Sequence, residues 1–116
     1  MSGSPRLSAR AAEAFAEVQR GEATLSISVV VLAELFYVLA KHGQSDLFPK
    51  FIETIELSLA YCVESLTVND IQHLPTFSEI PEMHDRLIAI QAKRLGATVL
   101  TRDSALQSSP QVDWLW

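Results

Sequence analysis

Along this 116-residue chain the spacing of apolar residues switches between helical and alternating periods, and the switches predict its elements. Residues 8–20 are alanine-rich and place Leu7, Ala11, Phe15 and Val18 on one helical face, with Gly21 as the stop. Residues 24–28 alternate apolar and small polar side chains, which predicts a short strand feeding a helix near Ser28. That helix ends at Lys41-His42-Gly43. Residues 47–58 predict an amphipathic helix, with Phe48, Phe51, Ile52, Ile55 and Leu59 at helical spacing and Ser45 or Asp46 as its cap.

Residues 60–66 read as a second strand, and Thr67-Val68-Asn69-Asp70 opens a short helix with a capping-box pattern that Pro75 ends. A loop follows over 76–82, then a helix over 83–95 closed by Gly96, then a strand over 97–101 expected to be buried on both faces. Residues 104–107 predict one helical turn and residues 112–115 a final edge strand. Strands alternating with helices indicate α/β layering with a mostly parallel sheet, and the length suits a single domain over residues 1–116.

Composition narrows the picture. With 48% hydrophobic residues the chain can bury a core. The single Cys62 has no partner for a disulfide and no neighbours at zinc-ligand spacing, which fits a reducing compartment. Ser26, Ser28 and Glu34 interrupt the apolar stretch 25–40, which is shorter than the roughly 20 residues a membrane span needs. The first residues show no basic-then-apolar leader, so the expectation is a cytoplasmic protein with no membrane contact. A net charge of −5 argues against broad electrostatic adhesion to nucleic acid, though a local patch such as Lys41, Arg86, Lys93, Arg94 and Arg102 could hold a strand.

The chemistry-bearing signal is Glu34, alone in the run Val29-Val30-Val31-Leu32-Ala33-Glu34-Leu35-Phe36-Tyr37-Val38-Leu39-Ala40. A helix hydrophobic on every side is expected to be buried, and an ionised carboxylate there needs a cation or a dense set of donors. Its bland reading is a salt bridge or a solvent-facing side. Asp85 and Asp103 come from separate segments at element boundaries, and with Glu34 they could converge on a hard divalent cation such as Mg²⁺ or Mn²⁺. Their bland readings are a helix-start acid and a turn residue capping the next helix. His42, His73 and His84 lack ligand spacing, His84 reading as a packing or loop residue. Asp46, Asp70 and Asp113 read as caps or solvated loop acids, Ser104 as a helix-capping hydroxyl, and Trp114 and Trp116 as cover for core or a dimer surface. A glycine-rich phosphate loop and a nucleophile elbow are both missing.

The segments Pro5-Arg6-Leu7-Ser8-Ala9-Arg10-Ala11, Ala33-Glu34-Leu35, Ile80-Pro81-Glu82-Met83-His84-Asp85-Arg86-Leu87-Ile88-Ala89 and Gly96-Ala97-Thr98-Val99-Leu100-Thr101-Arg102-Asp103, closing with Val112-Asp113-Trp114-Leu115-Trp116, resemble the PIN-domain family. Within it they look most like VapC-type toxins of toxin–antitoxin pairs. The resemblance implies a three-layer α/β/α fold and a Mg²⁺- or Mn²⁺-dependent endoribonuclease. In it Glu34, Asp85 and Asp103 are metal ligands and catalytic acids, and Arg86 and Arg102 are weaker candidates for RNA contact. It also implies RNA as substrate, a cognate antitoxin as partner, and a homodimer.

The departure is at the N-terminus. Family members begin with a central strand ending in an Asp-Thr or Asp-Ser motif, whereas here no aspartate precedes Asp46. The resemblance therefore implies a missing central strand, about 20 further residues in a full-length enzyme, and a metal site short of one carboxylate. The strands at Leu25 and Val99 are then expected either to carry unpaired edges or to pair with each other. An impaired or inactive enzyme follows. The alternative is a non-catalytic PIN-derived module that binds an antitoxin or self-associates, and a third reading is an unrelated α/β protein whose acids are caps.

Overall fold

A computed structural model describes residues 8–116. Leu7, expected on the first helix, and the motif residues Pro5 and Arg6 lie outside them. The Ser8 side chain caps α1 (Ala9–Gln19) by accepting the Ala11 N–H at 3.0 Å, which satisfies one of the donors a helix start leaves open. Then follow β1 (Leu25–Ser28), α2 (Val29–Lys41), a 3-10 turn (Ser45–Leu47), α3 (Phe48–Leu57), β2 (Tyr61–Glu64) and α4 (Val68–Gln72). A second 3-10 turn (Leu74–Phe77), α5 (Met83–Leu95), β3 (Val99–Leu100), α6 (Ser104–Ser108) and β4 (Trp114–Leu115) complete the order.

Most expected elements form, with shorter bounds and different caps in places. Thr67 and Asp70 make the predicted capping box at α4. Pro75 does not end that helix; it starts the next 3-10 turn, which occupies the front of the expected loop. Ser45 and Asp46 do not cap α3, because the 3-10 turn leads straight into it through Leu47 and Pro49 stands in its first turn. Gly96 closes α5 at φ +64°, where a side chain would be strained.

The fold is mixed α/β and every strand pair is parallel, as expected. β1 pairs with β2 in the register Leu25↔Tyr61 to Ser28↔Glu64, and β3 pairs with β4 through Val99↔Trp114 and Leu100↔Leu115. The two pairs are separate sheets. Of the two outcomes expected for β1 and β3, the unpaired edge is the one observed. β3 is two residues long and half-buried, not buried on both faces, because no described strand covers its other edge.

One apolar cluster joins the layers. Val30 from α2, Leu87, Ala89 and Ile90 from α5, Phe77 and Ile80 before α5, Leu106 from α6 and Val112 form it. α5 is its centre, and the Arg86 guanidinium donates to the carbonyls of Ile80, Leu74 and Ser78, which folds the preceding turn against it. Two buried polar groups brace the other side. Gln91 accepts from the Ser28 hydroxyl and donates to the carbonyls of Glu64 and Ser65 at 3.2 and 3.3 Å, tying the ends of β1 and β2 to α5. Asp70 is bound by Arg94 Nε at 2.8 Å.

The burial expected of α2 does not hold. Val30 is its only buried residue, while Tyr37 is 72% and Val38 53% exposed. The helix packs on β1, α3 and α5, and Tyr37 and Val38 toward its C-terminal end stay outside that packing. No described helix is long and apolar enough to cross a membrane.

Candidate active site

Three segments deliver the expected acids. β1 runs directly into α2, whose Ser28 cap accepts the Val30 N–H at 3.1 Å, and Glu34 lies further along that helix. Asp85 is in the first turn of α5, and Asp103 follows β3 as the cap of α6.

Glu34 is not buried: its side chain is 50% exposed, so the carboxylate is solvated although it lies on the side of α2 that faces the start of α5. The cation inferred from burial is therefore unnecessary for its solvation. The group nearest it is His84, whose Nδ1 lies 4.0 Å from Glu34 Oε2 and 2.9 Å from Glu82 Oε2. His84 thus links α2 to the start of α5, a contact that its reading as a packing or loop residue missed.

Glu82 is the acid sequence reasoning overlooked. Its side chain caps α5, accepting the N–H groups of His84 at 3.0 Å and Asp85 at 3.2 Å. Those amide bonds, foremost that of His84, hold the Glu82 carboxyl below its ordinary pKa. With Glu82 as the cap, Asp85 is released from that task. Burial, followed by repulsion from Asp103, Glu82 and Glu34, pushes the Asp85 carboxyl above its ordinary value. The four acids therefore lie within one electrostatic field around Asp85.

Asp103 keeps its bland role as well. Its Oδ1 accepts the amides of Ala105 at 2.8 Å and Leu106 at 3.3 Å. Both bonds run to the same oxygen. Beside it, the Arg102 guanidinium stands 5.9 Å from the Trp116 ring, a cation–π contact at the end of the chain. Arg86 has its donors on three carbonyls, as described above, and Lys93 and Arg94 bind Gln111 and Asp70.

Carboxylate oxygens are the donors a hard divalent cation prefers. Their geometry does not complete a site: among the described residues no group of three or more His, Cys, Asp or Glu side chains is arranged to hold an ion. Glu34, Asp85 and Asp103 share a field without closing a coordination shell.

Comparison with curated proteins and with solved structures gives no match. The family model described as PIN domain matches residues 6–110. It takes in all three acids and all of the strands except β4. PIN domains are generally nuclease-like and typically use divalent metal ions. With nearly the whole chain aligned and parallel strands between helices, this protein belongs to the PIN-domain family.

Proposed function

We propose that this chain is the body of a toxin-type, metal-dependent endoribonuclease, with Glu34, Asp85 and Asp103 as its acidic site. The observation that carries this reading is the placement of Asp85 in the first turn of α5, where burial first and then the charges of Asp103, Glu82 and Glu34 push its carboxyl up. Structural carboxylates are normally paired with cations, and an acid raised by burial and by neighbouring acids, with no cation bound to it, supports a functional reading. A bound Mg²⁺ or Mn²⁺ would supply the positive charge that phosphodiester hydrolysis needs. The chain's own part is to hold the acids from α2, α5 and the β3–α6 junction together and to offer Arg102 at the rim to a neighbouring phosphate. RNA as substrate, a cognate antitoxin, self-association as a homodimer and a cytoplasmic location rest on the resemblance and on sequence features.

A second reading has an observation of its own. The described carboxylates do not close on an ion, which favours a non-catalytic PIN-derived module that binds an antitoxin or self-associates.

The two separate in one experiment, an Mn²⁺ titration of the chain and of Asp85→Asn with RNA cleavage as readout. The nuclease reading expects Mn²⁺-dependent cleavage that falls about 100-fold or more in the variant. Cleavage unchanged by Asp85→Asn overturns the site. A protein that captures a small partner yet neither binds Mn²⁺ nor cuts RNA is the second reading.

A further inference from the structure

Beside the acidic site one cation stands apart. Arg102 immediately precedes Asp103, one of the four acids that share a field, yet among the described residues its side chain makes no ion pair. Its guanidinium lies over the Trp116 ring instead, 5.9 Å from the ring centre. Two backbone bonds fix this placement. The Thr101 N–H donates to the Leu115 carbonyl at 3.2 Å, which brings the ends of β3 and β4 level. The Asp103 N–H then donates to the Thr101 hydroxyl at 3.0 Å, a tight turn that holds Arg102 between the ladder and the cap of α6.

The core does not account for the indole. Trp116 is only half-buried, Trp114 is 39% exposed, and neither belongs to the apolar cluster around α5. The spacing says what fits between guanidinium and ring. Direct stacking would bring their planes to about 3.5–4.0 Å, so the pair at 5.9 Å is loose. A flat ring sandwiched between them takes two stacking steps of about 3.4 Å each, which the pair reaches by opening about 1 Å. Such an occupant needs a π-face for the cation and another for the indole. It also belongs to a polyanion, because an arginine without a carboxylate partner attracts phosphate. An unpaired nucleobase meets both demands, whereas in a duplex its faces are already stacked.

We propose that Arg102 and Trp116 form a stacking clamp that grips one unpaired base of a single-stranded RNA beside the acidic site. The inference rests on the nuclease reading for its ligand and adds Trp116 to the residues that touch it. A base held next to Asp103 sets the register in which the adjoining phosphodiester meets the acids.

The test uses the full chain carrying Trp114→Phe, which leaves Trp116 as its single tryptophan, and follows its fluorescence at low salt with EDTA and again with Ca²⁺. Hexauridylate should quench the emission saturably, and an abasic strand of the same length and a blunt RNA duplex should not. By anisotropy of a dye-labelled hexauridylate, Trp116→Leu should bind about ten-fold or more weakly and Trp116→Phe should recover most of the loss. Arg102→Lys, which keeps the charge without the plane, should keep the salt dependence and lose affinity. Equal quenching by the abasic strand, none at millimolar hexauridylate in either buffer, or unchanged affinity in Trp116→Leu overturns the clamp. Mn²⁺-dependent cleavage by a chain that shows no quenching removes the clamp and leaves the nuclease reading standing. Quenching in a chain that neither binds Mn²⁺ nor cuts RNA supports the clamp and sinks the nuclease reading. Emission that changes with protein concentration alone would place a second copy over the ring and overturn the choice of occupant.

Discussion

Replacing Asp70 with alanine tests the packing of the chain where its consequences are largest. Asp70 is 1% exposed, yet its side chain bonds the Thr67 N–H at 3.0 Å and Arg94 at 2.8 and 3.3 Å. Burial alone would push this carboxyl up, but the Arg94 and Thr67 bonds outweigh it and hold the pKa below the ordinary value. Removing the side chain loses the return bond of the capping box to the Thr67 N–H, about 1 kcal/mol, and charge-assisted bonds of about 1.5–3 kcal/mol. Arg94 is 35% exposed and regains water, so the lower end applies and the total is about 2.5 kcal/mol. In urea the unfolding midpoint should fall by roughly 1–2 M. Arg94→Leu should cost about 3 kcal/mol or more, because it strands a buried charge. The double variant should lose less than the sum by about 1 kcal/mol or more. Because the folded pKa is depressed, the stabilisation is present above the unfolded value of about 3.9 and is lost as pH falls through the lower folded value. A midpoint shift worth less than about 0.5 kcal/mol, or strict additivity of the two substitutions, would refute the reasoning.

Asp85→Asn should raise thermal stability at neutral pH, since it removes a charge that burial and neighbouring acids disfavour. A raised folded pKa means Asp85 is tolerated best below its unfolded value, so the gain should vanish by about pH 3; a variant equally or less stable at pH 7 contradicts the crowding. Arg86→Gln should cost about 2–3 kcal/mol in urea unfolding, because it removes a charged donor shared by the carbonyls of Ile80, Leu74 and Ser78. A neutral result would show that these contacts do not hold the turn before α5.

What the sequence made legible was chemistry that acts within a few residues. The capping box at Thr67 and Asp70 and the left-handed stop at Gly96 form as expected, and Asp103 takes the cap that was its alternative reading; all are decided by groups two to four positions apart. Arg94 on Asp70 and Gln91 between two strand ends were not legible, because each joins residues more than twenty positions apart. Gln91 did leave a trace, standing one helical turn from Leu87 on the buried face of α5. Glu82 was hidden by the adjacent Asp85, since either acid could have capped the helix, and only the geometry shows which one does.

The misreading of Glu34 as buried and the unpaired edges of β1 and β3 have the same physical origin. An all-apolar helix states that its faces favour cover, but it does not state that the cover belongs to the same folded unit. On α2 the face that buries Val30 carries Glu34, Tyr37 and Val38 further along, and these are at least half exposed, so a carboxylate that looked buried is solvated. Alternation at β1 and a short apolar run at β3 correctly predicted strands, and among the described residues the ladder stops after one neighbour on each. Apolar pattern and ladder alike specify demand for a partner, and both unmet demands fall on β1 and the helix that follows it.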